Sequence, residues 1–341
     1  MFLIREAFPE DLDQIHEVAR YLDTVNLPND RAVLERIIDK SRRSFAGQID
    51  TFERGYLFVL LDGEARRIIG TCMIHAQHGT RKAPHVFFEV FEEERYSETL
   101  DRYFVHQCLR LGYNYSGPTE IGGLILVPEY RGRPEGLGKL LSYVRFLYIA
   151  MYRARFRDEV LSELLPPLEA DGASLLWESL GRHFTGLTYQ EADRLSHENK
   201  EFIRTLFPQG LIYTCLLPRN VQAVIGQVGP QTRGVEKMLT KIGFEYARHL
   251  DPFDGGPHYH AATDEITLVK KTRRAKAAAV DAADDGRPLG IVAAEHVKAP
   301  HFVAVGTRFR ANPTSGELGL TDAARTALGV QPGDEVAYLP L

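Results

Sequence analysis

The stretch Arg131-Gly132-Arg133-Pro134-Glu135-Gly136-Leu137-Gly138-Lys139 constrains this chain more than any other. It separates an apolar run, Ile121 to Val127, that reads as a strand, from a long apolar segment starting at Leu137 that reads as a helix. A basic, glycine-rich turn between strand and helix is an anion cradle. Gly136 and Gly138 let backbone N–H groups turn inward, the helix start adds its positive end, and Arg131, Arg133 and Lys139 surround the site with charge. A pyrophosphate suits such a place; the competing reading is a solvated basic turn that caps a helix.

The chain has neither GxxxxGK followed by Ser or Thr nor GxGxxG opening a βαβ unit, which removes the two commoner phosphate loops. The remaining pattern, Arg133-x-x-Gly136-x-Gly138, resembles the loop by which GNAT-superfamily acyltransferases hold the pyrophosphate of acyl-coenzyme A. Over the whole chain, 341 residues with 44% apolar and 26% charged content describe a globular protein, and a net charge of -5 makes nucleic acid a poor partner. Cys72, Cys108 and Cys215 are far apart in apolar surroundings and read as reduced core thiols. The start carries an acid at Glu6 with no basic-then-apolar leader, and no run reaches membrane-spanning length, so a cytoplasmic location is expected.

Period-two and period-3.6 patterns place strands at Leu3–Ala7, Gly55–Leu61, Arg67–His75 and Glu120–Val127, with a helix over Leu137–Phe156 that continues or restarts through Asp158–Leu165. Trp177, Leu180, Phe184 and Phe207 among many charges suggest a mostly helical insertion at about 158–210. A strand is expected at Ala223–Val228, a helix at Thr232–Ile242 and a strand at Phe244–Leu250, resuming the core. These features imply an α/β fold with a GNAT-like mixed sheet over residues 1–275. A polar, alanine-rich linker, 276–285, then precedes short strands in 286–341 that read as a small β-barrel, docked on the main domain or on a second subunit.

Four further stretches sharpen the resemblance: Thr119 through Arg131, Trp177-Glu178-Ser179-Leu180-Gly181-Arg182-His183-Phe184, Gln222 through Val228, and Phe253-Asp254-Gly255-Gly256-Pro257. Together with Leu328 through Asp334 they make the chain similar to the arginine N-succinyltransferases of bacterial arginine catabolism, including arginine/ornithine succinyltransferase subunits. The resemblance implies transfer of a succinyl group from succinyl-CoA, a cosubstrate and not a tightly bound cofactor, to the α-amino group of arginine. It also implies main-chain contact between Leu124 and the cofactor, with Leu126 further along the same strand. Family members carry a catalytic histidine where this chain has Gly229. Either other groups move the proton, or the chain is a noncatalytic acyl-CoA-binding subunit; ornithine, another amine or another acyl-CoA are the enzymatic alternatives. A homo-oligomer or a pairing with a homologous subunit is expected.

The candidate proton-transfer groups are Glu120, at the start of the cofactor strand, and His258. Glu120 reads equally as a solvated strand-end carboxylate. His258 and His260 lack a clear third ligand, so no metal is expected. For the acceptor, Asp251 and Asp254 can hold a guanidinium as a bidentate pair or simply form a turn. Asn29 and His75 are candidate pocket residues, and Arg182 is a candidate partner for the succinyl carboxylate, which needs a cation if buried.

Overall fold

Runs of β-branched and aromatic residues form the strands, which in chain order are β1 (Phe2–Glu6), β2 (Gly55–Asp62), β3 (Arg67–His75), β4 (His85–Ser97), β5 (Arg102–Asn114), β6 (Thr119–Leu126), β7 (Glu159–Glu163) and β8 (Ile212–Tyr213). They continue as β9 (Glu245–Leu250), β10 (Pro257–Ala262), β11 (Arg273–Ala279), β12 (Leu289–Glu295), β13 (Phe302–Arg308), β14 (Arg310–Asn312), β15 (Glu317–Leu320) and β16 (Glu335–Pro340). The computed structural model describes residues 1–21, 27–81, 83–196, 199–280 and 288–341. They divide into a first unit, Met1–Ala76, Glu120–Asp158 and Thr263–Leu341, and a second, Gln77–Thr119 and Glu159–Ala262.

In the first unit the strand order runs β14-β15-β11-β16-β12-β13-β1-β2-β3-β6. Helices α1 (Leu12–Ala19), α2 (Arg31–Phe45) and α3 (Leu137–Met151) accompany it. Asp30 starts α2 by accepting from the N–H groups of Ala32 and Val33. From Leu140 to Ile149 every residue of α3 is buried, so the helix has no solvent face. It ends at Met151, short of the expected Phe156.

The C-terminal strands do not close into a barrel. β13 pairs antiparallel with β1, Leu3 opposite Val305 and Arg5 opposite Val303, which makes them part of an open sheet. The cause is legible in Phe302-Val303-Ala304-Val305, apolar and buried on both faces, as suits a central strand and not a barrel wall with a wet exterior. One face packs on Val292, Leu318, Leu328 and Val336. On the other, Phe302 meets Phe58 and Tyr148 edge-on at ring distances of 5.5 and 5.1 Å. The expected linker 276–285 opens inside β11, while 281–285 and the first residues of the expected barrel, 286–287, lie outside the described residues.

The second unit orders its strands β7-β10-β9-β4-β5-β8. Its core gathers Phe88, Leu109, Trp177, Ile203, Phe207 and Phe253, so the expected helical insertion is the packing partner of a sheet whose strands β4 and β5 were not foreseen. Glu159–Glu163 is a strand, not a continuing helix, because pairing with β10 overrides the helical spacing of Val160, Leu161 and Leu164. Ala223-Val224 conversely closes a short helix, Arg219–Val224, in place of the expected strand.

Phe302→Ala should lower unfolding stability by about 3–5 kcal/mol, since it empties a fully buried ring site shared by β2, α3 and β13. Val297→Ala, at a 97% exposed position, is the control. Equal denaturation midpoints for the two variants would show that the C-terminal strands contribute little to this unit.

Candidate functional site

In the first unit, β6 departs from regular pairing at one point. His75 faces Glu120 and Met73 faces Gly122, but Thr71 then faces Ile125, so Gly123 and Leu124 together stand opposite Cys72. This is a β-bulge, which breaks the ladder and redirects main-chain groups. Gly123 sits at φ +55°, and a Cβ there would come within 2.8 Å of Met73, so only glycine fits. The Thr71 hydroxyl fixes the bulge by donating to the Gly123 carbonyl at 3.0 Å. Leu124, the expected cofactor contact, is therefore at the bulge. Glu120 is buried, 3% exposed, which rules out the solvated strand-end reading.

β6 leads through Leu126 into the basic loop. Arg131 folds back, its Nε donating to the Leu126 carbonyl at 2.8 Å, and Arg133 lies over the Tyr130 ring at 4.0 Å. Tyr130 is itself fixed by donating to Asp62 at 2.8 Å, a bond that lowers the Asp62 carboxyl below its usual range. Gly136 is the N-cap of α3 at φ +65°, with no side-chain cap and no acidic residue in the first turn. The helix thus starts with uncapped N–H groups beside Lys139, and a Cβ on Gly136 would meet nothing within 4 Å. Gly138 is almost as open: its Cβ would have only Leu126 Cδ2, at 3.8 Å, for a neighbour.

Beneath the bulge lies Arg145 of α3, a cation that sequence reading missed. It is 2% exposed, donating from Nε and Nη2 to the Ser142 carbonyl and hydroxyl at 2.9 Å each, with Nη1 3.5 Å from the Gly122 carbonyl. Burial pushes its pKa down, yet a guanidinium stays charged. No carboxylate among the described residues pairs with it.

The second unit gathers a different set. His258 on β10 faces Glu163 on β7 in register, and its Nε2 is 3.4 Å from Glu163 Oε1. The Nε2 atoms of His85 and His78 lie 3.4 and 3.9 Å from the same oxygen. Burial, against the pull of Glu163, pushes His258 down to about 3 and keeps it neutral. Asp251 and Asp254 shape the turn between β9 and β10: the Oδ1 of Asp251 accepts from Phe253 and Asp254 N–H, and that of Asp254 from Gly256 N–H. Burial, then the nearby Glu163, raises Asp251 to about 7; burial, then Asp251, raises Asp254 well above a usual carboxyl.

Three of the sequence stretches singled out above meet around this turn. Trp177 stacks on Phe253 at 5.2 Å, Gly226 N–H donates to the Gly255 carbonyl, and Gly229 N–H donates to the Leu165 carbonyl. A Cβ on Gly229 would stand 2.5 Å from the Pro166 carbonyl oxygen, so this backbone has no room for a histidine there. Among the other expected residues, Asn29 is exposed beside the α2 cap, and His75 ends β3 opposite Glu120. Arg182 lies on the surface, bonded to Glu178 at 2.7 Å. His260 is apart from His258 in its contacts, with Glu159 and Glu245 near its ring. His78, His85 and Glu163 escaped sequence reading, the last because β7 was read as helix; the density of histidines from 75 to 85 was the available signal.

The family model for the arginine N-succinyltransferase beta subunit matches residues 2–268, and that for its C-terminal domain matches 273–340. An arginine N-succinyltransferase of Salmonella paratyphi B is 34% identical over 317 residues, covering 93% of this chain and 90% of that protein. One from Escherichia coli is 33% identical over 344 residues, covering 100% and 98%. Among solved structures, arginine/ornithine succinyltransferase subunit AI from Pseudomonas aeruginosa superimposes with a TM-score of 0.85 at 28% identity, covering 100% of this chain and 98% of that one. No helix of the described residues is long and apolar enough to cross a membrane.

Gly138→Val should leave folding intact, because the added atoms enter open space, but weaken succinyl-CoA binding at least about tenfold, or 1.4 kcal/mol. Calorimetric affinity equal to wild type would remove this loop from the cofactor site. Gly229→His should lower the melting temperature, since its Cβ collides with main chain; an unchanged melting curve would show that the 165–166 segment yields easily.

Proposed function

The chain belongs to the arginine N-succinyltransferase family and catalyses N-succinylation of arginine from succinyl-CoA, and from that premise we propose how its residues divide the work. The loop from Arg131 to Lys139 and the start of α3 take the pyrophosphate. The bulge at Gly123-Leu124 takes the pantetheine and thioester end, where main-chain groups freed from the ladder are available. The observation that carries this reading is the continuity of bulge, loop and uncapped helix within one unit.

Arginine offers one usable nucleophile. Its guanidinium is permanently protonated, so the α-amino nitrogen attacks once it has lost a proton. Glu120, buried on β6 three residues before the bulge, is the group we assign to that proton, directly or through a water. The neutral amine adds to the thioester carbonyl; the C–N bond forms, the C–S bond breaks, and coenzyme A leaves as a thiolate that takes up a proton. Placement and carbonyl polarisation carry most of such a reaction. This is consistent with a glycine at position 229. The sealed, neutral His258 stays outside this proton path.

For the succinyl carboxylate the better partner is Arg145 and not Arg182. It is a buried cation beside the bulge that pairs with no carboxylate among the described residues, and a ligand carboxylate would supply the missing charge. The solved relative is named as a subunit, which supports assembly with a second copy or a homologous chain.

Thiol release from succinyl-CoA with arginine, ornithine and other amines tests the reaction; CoA binding without turnover of any amine would overturn it. In the same assay Arg145→Met should lower kcat/KM for succinyl-CoA at least about tenfold more than for acetyl-CoA. Equal losses with both donors would leave Arg145 with only its hold on the helix and bulge.

A further inference from the structure

Three imidazoles converge on one carboxylate oxygen in the second unit, and acyl transfer as derived above uses none of them. His85, His258 and His78 present Nε2 atoms at 3.4, 3.4 and 3.9 Å from Glu163 Oε1. A hydrogen bond between imidazole and carboxylate is shorter, about 2.7–2.9 Å. The two 3.4 Å spacings are instead close to those of co-ligands: two donors each 2.0–2.1 Å from a tetrahedral zinc ion stand about 3.3 Å apart.

The ligand atoms of His78, His85 and Glu163 all lie within 4.8 Å of one another, and so do those of Glu163, Asp251 and His258. The two triads share Glu163. His258 has no exposed surface, and neither ring nitrogen makes a hydrogen bond, a costly state for a buried polar group. The rings are held in place by their neighbours: His85 stacks on His258 at 5.3 Å, and His78 meets His85 edge-on at 4.4 Å. The backbone is held as well, with His78 N–H donating to the Pro118 carbonyl at 2.7 Å.

We propose that Glu163, with His78 and His85, binds a divalent transition-metal ion of the zinc class, with His258 and Asp251, the second triad on Glu163, at the margin of the site. Imidazole-rich coordination with one carboxylate suits zinc, cobalt or nickel and disfavours magnesium and calcium, which require oxygen ligands. The ion would join His78 and the first residue of β4, His85, to Glu163 on β7, offsetting the charge of Glu163 and Asp251. The proposal does not depend on the acyl-transfer reading.

The test uses the full, untagged chain, dialysed against a chelator and then titrated with Co2+ and Zn2+. Wild type should develop the visible d–d bands of four- or five-coordinate Co2+, saturating at one ion per chain, lose them to Zn2+, and melt at a higher temperature with either ion. Glu163→Gln and His85→Ala should weaken binding by more than the 10- to 100-fold that loss of an outer partner costs. His260→Ala should bind as wild type does. Absence of d–d bands in wild type overturns the proposal without any variant, and so does an unchanged spectrum in the folded Glu163→Gln, His85→Ala double variant. Stabilisation by free arginine but by neither metal, lost in Glu163→Gln, would assign the cluster to an organic cation and overturn it too.

Discussion

A helix buried around its whole circumference has to be enclosed, and α3 sets that requirement for the first unit. β3 lies against it, as do β12, β16 and the short helix Thr267–Lys271, so the C-terminal strands act as its cover and not as an appendage. The enclosure fixes where α3 begins, and therefore where its uncapped N–H groups and the basic loop stand. It also forces the one charged side chain buried along the helix, Arg145, to find partners locally, at Ser142 and near the bulge carbonyl. Cradle, bulge and buried cation are consequences of one packing decision.

The second unit follows another logic, in which aromatic packing holds a polar turn. Trp177 stacks on Phe253, Leu176 lies close against Gly255, and the two aspartates organise Phe253 to Gly256 through side-chain oxygens that accept from its N–H groups. Gly229 and Gly256 are both crowded by the main chain of 164–166, so three separate segments depend on the absence of a side chain at close approaches.

The loop, β6, α3 and the C-terminal strands were legible in the sequence because each rests on local chemistry: glycine and basic residues at a turn, or periodicity within one element. The misread elements depended on distant partners. Asp158–Leu165 carries helical spacing and good helix formers, yet β10 takes it as a strand, and Ala223–Val228 carries strand-forming residues that follow a helix turn. The barrel failed for a related reason, since nothing within 286–341 says that β13 will find β1 some 300 residues away. Glu163 was hidden with β7, His78 and His85 had only a local density of histidines to mark them, and Arg145 was missed because a lone arginine in an apolar helix gives no sign of what it faces.

The placement of Trp177 has a spectroscopic consequence. It is the chain's single tryptophan, it is fully buried, and its indole N–H bonds to the Leu187 carbonyl at 3.0 Å while its ring stacks on Phe253. The first unit's aromatic cluster is built from tyrosine and phenylalanine alone. Selective excitation of the indole therefore follows the core of the second unit and is silent to the first, whereas near-ultraviolet dichroism of the tyrosines includes the first. Loss of order in either unit carries its own optical signature, with no label introduced.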